Sequence, residues 1–176
     1  MRPGRYLSVG ITLLLAAAVT GVGTATAQQS GECGGASFVN DMLSAHNEYR
    51  ARHQAPPLTL DPALTDYAQQ WANHLAAIGQ LEHSTDGHSE NLFYASGMQV
   101  TGTVPTKAWY DEIKDYDYDN PGFSKETGHF TQVVWKSSTK LGAAITCKGS
   151  ESYVVASYDP AGNVIGQFPQ NVGRLS

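Results

Sequence analysis

Apolar residues recur at Phe38, Met42, Ala45 and Tyr49, spaced by four, three and four, which predicts an amphipathic helix. Ser37 stands where a cap belongs, and Pro56-Pro57 close the segment. His46 and Arg50 lie one turn apart on a face bordering that stripe. A second helix is better punctuated. Asp61 occupies the N-cap position, Pro62 the first turn and Gly79 the far end, with Leu64, Ala68, Trp71, Leu75 and Ile78 as the expected buried side. A polar stretch, "EHSTDGHSEN", leads to a short apolar piece, "LFYAS". A third helix is expected from about Pro105, with Trp109, Glu112, Ile113 and Tyr116 on one side. Glu112 thus falls on an apolar face, where an unpaired carboxylate is costly to bury and needs a partner.

The stretch "TGHFTQVVW" is ambiguous. Its Thr, Val and Trp residues favour a strand, yet His129 and Val133, like Phe130 and Val134, are one helical turn apart. Downstream, "LGAAITC" and "SYVVASY" alternate like strands and are joined through "KGSE", a hairpin. "PAGNVIGQF" reads as a turn into a last extended piece. Helices first and a hairpin late predict an α+β or layered α-β-α domain rather than βαβ winding.

The first 27 residues stand apart. Arg2 and Arg5 precede the apolar run "ITLLLAAAV", and "ATA" follows at Ala25-Thr26-Ala27. That layout predicts a secretory signal peptide over 1–27, cleaved after Ala27. The competing reading, an uncleaved anchor, asks the short apolar run to span a bilayer. Residues 28–37 form a small, polar linker, 38–172 a single domain, and 173–176 a tail. No other segment is apolar enough to span a membrane. Sixteen acidic against eleven basic residues give a net charge of −5, and cleavage would make it more negative. With no basic run, nucleic acid and anionic membranes are poor partners. Cys33 and Cys147 in an oxidising compartment suggest one disulfide, contributing on the order of 4 kcal/mol in the chain-entropy view. Two thiols are the alternative.

Motif chemistry is sparse. There is no H-E-x-x-H, no G-x-S-x-G, no phosphate loop and no CxxC. What remains is a scattered set, His83, Glu90, Glu112 and His129. Two imidazoles and two carboxylates can hold a divalent metal, or they can form a polar cluster that pins loops.

These residues sit inside larger blocks. "GHFTQVVW" (128–135) and "YDPAGNVIGQF" (158–168) resemble the two signature motifs of the CAP superfamily, which includes cysteine-rich secretory proteins, antigen 5 and pathogenesis-related class 1 proteins. "HNEYR" (46–50), "SENL" (89–92) and "KAWYDEIKDYDYDNPGF" (107–123) are similar to its other blocks, in order. The closest likeness is to the cysteine-poor, Golgi-associated plant-pathogenesis-related branch. The resemblance implies a three-layer α-β-α sandwich with a central cleft. It implies that "GHFTQVVW" is helical, with packing overriding local propensity. It places His83, Glu90, Glu112 and His129 on the family's cleft tetrad, the histidines as zinc ligands and the glutamates as their supports. Ser89 replaces the usual Gly before that Glu, and the loop from His83 is short, so His88 is a rival ligand. Relatives that bind sterols or fatty acids use apolar surface outside the tetrad. Here Phe93 and Tyr94 are candidate lipid contacts, with plain packing as the other reading.

Three functions compete on this basis. The leading one is a secreted, non-enzymatic binding domain with a metal-competent cleft, whose partner is a lipid or sterol, a cell-envelope or cell-surface component, or a protein. The second is a metal-assisted or Glu/His hydrolase acting on peptides or esters. The third is a structural extracellular module. No catalytic residue, organic cofactor or oligomeric state is assigned.

The signal layout generates the first prediction. Secreted protein should begin near Gln28 on N-terminal sequencing, and a membrane-bound chain retaining Met1 would refute the cleavage.

Overall fold

The computed structural model describes residues 33–176. The signal-peptide expectation over 1–27 and most of the linker lie outside them. Ten elements follow in order: α1 (Phe38–Ala51), β1 (Thr59–Leu60), α2 (Pro62–Ile78), β2 (Ser89–Ser96), α3 (Thr103–Tyr110), a 3-10 turn (Asp111–Asp115), α4 (Gly128–Val133), β3 (Lys140–Lys148), β4 (Glu151–Asp159) and α5 (Phe168–Asn171). The strands form one sheet in the order β1-β3-β4-β2, with β1 parallel to β3 and the other pairs antiparallel.

Alternation along β3 and β4 splits the core into two. Leu141, Ala143, Ile145, Val154, Ala156 and Tyr158 face the core shared with α1, α3 and α4. Ala144, Tyr153 and Val155 face the smaller core under α2. This period of two builds an α-β-α sandwich from one hairpin. The second helix starts and stops where its punctuation says: the Asp61 carboxylate accepts from Leu64 N at 3.0 Å, and Gly79 closes the helix at φ 72°. Gly142 lets α2 lie close, because a Cβ there would come within 2.1 Å of the Leu64 carbonyl carbon.

Several expectations change. On α1 the buried line is Phe38, Met42, His46 and Arg50, not one through Ala45 and Tyr49. Burial follows hydrogen bonding here. The Arg50 guanidinium donates to the carbonyls of Pro56, Val133, Trp135 and Ser138 at 2.8–3.0 Å. Ser37 makes no cap bond and donates instead to Asp41. On α2 the deep positions are Ala68, Ala72, Leu75 and Ala76, while Ile78 is exposed, since close packing on the sheet selects small residues. The third helix ends at Tyr110, so Glu112 rides on the 3-10 turn. The last extended piece is the short helix α5: Pro169 suits its first turn, and the Asn171 carboxamide ties it to Gln167 O and Ser137 N. Cys33 and Cys147 are joined in a disulfide.

His46 is wholly buried. Its Nδ1 meets Met42 O at 2.8 Å and its Nε2 meets the Tyr158 hydroxyl at 2.8 Å. Burial first, and then the nearby Arg50 charge, lower its pKa to about 4, against a bond to Met42 O that works the other way. Between its ordinary value near 6.5 and about 4, the unfolded chain therefore binds a proton that the folded chain refuses. Stability should fall with pH across that window, by about 3 kcal/mol at its lower end. Urea titrations at pH 7 and pH 4.5 should show the loss in the wild type and a smaller one in His46→Gln. An equal loss in both would refute it.

Candidate metal-binding cleft

Strand β2 is an edge of the sheet, and its neighbouring residues Glu90 and Asn91 point to opposite faces. Glu90 turns towards α2, where Tyr67 donates to its Oε1 at 2.5 Å. Asn91 turns towards α4, donating to His129 O at 3.1 Å and to the Tyr158 hydroxyl at 3.2 Å. A cleft of about 360 Å³ opens beside this edge, lined by His83, Glu90, Asn91, Phe123, Lys125, Gly128, His129 and Asn163.

Each histidine has its own carboxylate. Glu112 Oε1 lies 2.7 Å from His129 Nδ1, while its Oε2 accepts the backbone N–H groups of His129 and Phe130 at 3.0 and 3.1 Å. Those are the first amides of α4, whose own N-cap residue, Thr127, makes no side-chain bond. Glu112 therefore caps α4 from another element. Held at its start and packed through Phe130 and Val133, "GHFTQV" is helical despite its β-branched residues. On the other wall, Glu90 Oε2 lies 3.3 Å from His83 Nδ1 and accepts Ser84 N at 3.1 Å. Burial opposes the Glu90 charge, but the bonds from His83, Tyr67 and Ser84 outweigh it and hold the carboxyl below its ordinary range. Side-chain exposure is 62% for His83 and 34% for His129.

A carboxylate at Nδ1 selects the tautomer with its proton there and leaves a lone pair on Nε2. Neither Nε2 has a hydrogen-bond partner among the described residues. All four carboxylate oxygens of Glu90 and Glu112 accept hydrogen bonds within the protein. Among the described residues, no group of three or more His, Cys, Asp or Glu side chains is gathered as a metal cage. The cleft offers two nitrogen donors, which fit part of a zinc coordination shell and leave the rest to other donors.

His83, Glu90 and His129 line this cleft, and Glu112 supports it from behind His129. His88 does not join them. Its Nδ1 meets Asp86 at 2.9 Å, its ring stacks on Tyr67, and it lines a separate pocket with Asp86 and Ser89. Phe93 packs against the larger core, and Tyr94, on the other face, bonds Glu151. Neither lines the cleft. Sequence reasoning did not single out Tyr67, Lys125, Asn91 or Asn163. Asn163 clamps the loop after β4 onto α4, accepting from the Thr131 hydroxyl at 2.6 Å and donating to Gly128 O at 2.8 Å. Asn91 lies inside the quoted "SENL" block, whereas Tyr67 carried no local signal.

Residues 43–158 match the CAP, or cysteine-rich secretory protein, family. Golgi-associated plant pathogenesis-related protein 1 of Homo sapiens is 44% identical over 149 residues, covering 81% of this chain and 96% of its own. Secreted protein RBT4 of Candida albicans is 46% identical over 140 residues, 76% of this chain, which spans only 37% of that longer protein. Among solved structures, NaASP2 with Zn2+ shares the fold at a TM-score of 0.66 and 23% identity, with 82% of this chain and 90% of that one covered.

The double role of Glu112 is testable. Glu112→Ala removes the acceptor for two amides of α4 and should cost about 2 kcal/mol in urea denaturation. A change within a few tenths of the wild type would show that α4 does not depend on this cap.

Proposed function

The chain belongs to the cysteine-rich secretory protein (CAP) family, and on that premise we propose that it is a secreted binding module whose cleft takes up a divalent metal, zinc first, through His83 and His129. One observation carries the reading: two imidazoles line one cleft, each with Nδ1 against a carboxylate and Nε2 bare. Secretion is supported by the N-terminal layout, the Cys33–Cys147 disulfide and a relative named as a secreted protein. The same fold has been crystallised with Zn2+ in NaASP2.

A zinc ion held by two nitrogens keeps open positions, and when bound it supplies a Lewis-acidic point for an incoming donor. Lys125 adds positive charge to the same wall. Phe123, 52% exposed, adds an apolar face to the lining. Such a cleft suits an amphiphilic partner, a lipid or a cell-envelope component. Binding rather than hydrolysis is favoured because each glutamate is already committed to three hydrogen bonds within the protein.

Calorimetric titration with zinc tests the assignment. The wild type should bind zinc at pH 7.5 with the two imidazole nitrogens as donors. His129→Ala should lose most of the binding, at least tenfold. His88→Ala should weaken binding far less than His129→Ala, because Asp86 holds His88 in another pocket. Equal affinity in the wild type and His129→Ala would sink the metal site.

A further inference from the structure

Tyr67 ties the exposed half of the cleft to α2. Its hydroxyl lies 2.5 Å from Glu90 Oε1 and 3.2 Å from Asp86 Oδ1. A phenol has one proton and donates to one carboxylate at a time. The shorter contact assigns it to Glu90, as a charge-assisted bond. Asp86 draws on other donors, the Ser84 hydroxyl at 2.8 Å and His88 Nδ1 at 2.9 Å. The phenol ring is itself held, because the His88 ring lies parallel to it with centroids 3.7 Å apart.

The consequence reaches His83. With Oε1 pinned by Tyr67, the buried Glu90 carboxylate cannot turn, and Oε2 stays aimed at Ser84 N and His83 Nδ1. His83 has no other side-chain hydrogen bond among the described residues. It sits on a loop and is mostly exposed, so this carboxylate is its tether. His129 has an independent one in Glu112.

We propose that Tyr67 is the positioning residue of the cleft: through Glu90 it fixes the tautomer and direction of His83, so that Nε2 of that ring is presented to the ligand. The effect on zinc rests on the metal-cleft reading above; the effect on the ring does not. His88 also gains a role, as the stacking partner that keeps the phenol in place rather than as a rival ligand.

The test uses the full secreted chain without metal, at a pH where both rings are neutral. Nitrogen-15 NMR distinguishes the two tautomers of each histidine. In the wild type both rings should carry the proton on Nδ1. In Tyr67→Phe, His83 should shift to a mixture of tautomers while His129 keeps its own, which also reports an intact fold. Zinc affinity should drop about tenfold in the same variant. An unchanged His83 signal in Tyr67→Phe would overturn the proposal, and so would an equal change in both rings. If the wild type binds no zinc but His83 alone changes tautomer, the metal reading falls and the positioning role stands.

Discussion

The site depends on a helix too short to stand alone. With six residues, α4 has more orphan amides and carbonyls than internal bonds. It is held by two charges from other elements. The Glu112 carboxylate takes the first amides, and the Arg50 guanidinium takes the carbonyls of Val133 and Trp135 at the far end. Negative at the start and positive at the finish is the arrangement that the helix dipole favours. Burial pulls the Arg50 pKa down to about 10, which still leaves it charged at neutral pH. Among the described residues Arg50 has no carboxylate partner; four carbonyls share its charge. A lysine, with a single compact ammonium, could not serve all four.

This capping explains why the cleft lies at the edge of the sheet. Arg50 also reaches Pro56 O and Ser138 O, and so fixes the turn after α1 and the approach to β3. With α4 locked against α1, His129 has one place to go, beside β2. The floor is then completed by neutral polar groups. Asn91 joins His129 O to the Tyr158 hydroxyl, which donates onward to the buried His46. Burial keeps that imidazole uncharged and pushes the Tyr158 phenol up, so the chain carries hydrogen bonds and no net charge. The structure can therefore bury a polar line through its larger core at little electrostatic cost.

Local chemistry was legible in the sequence where local chemistry decides. Asp61, Pro62 and Gly79 bound α2 because caps act within a few residues, and the hairpin was visible because alternation is a property of each strand alone. Contacts across the chain decided the rest. Nothing near Arg50 says that three of its four acceptors lie more than eighty residues away, so the stripe on α1 was drawn through Ala45 and Tyr49 instead of His46 and Arg50. The site shows the same divide. Spacing left His83, Glu90, Glu112 and His129 as a scattered set, and the family resemblance was what grouped them. Tyr67 was invisible to both routes, because a tyrosine on a helix face reads as packing until its hydroxyl is seen between two carboxylates.

The two histidines are not equivalent, and the difference says how the cleft works. His129 starts a helix capped at both ends, its carboxylate partner is 2.7 Å away, and two-thirds of its side chain is covered. His83 lies on a loop, meets its carboxylate at 3.3 Å and is mostly in solvent. A metal bridging them would find one donor already in place and one still to be ordered. The entropy of ordering His83 would be charged against binding, lowering affinity below that of two fixed ligands. In the positioning role proposed for it, Tyr67 would reduce that cost by immobilising Glu90, yet leave the imidazole able to adjust. If the cleft takes a metal as proposed, an open pair of this kind suits exchangeable binding. A closed structural site would instead require both rings to be buried and fixed before the metal came.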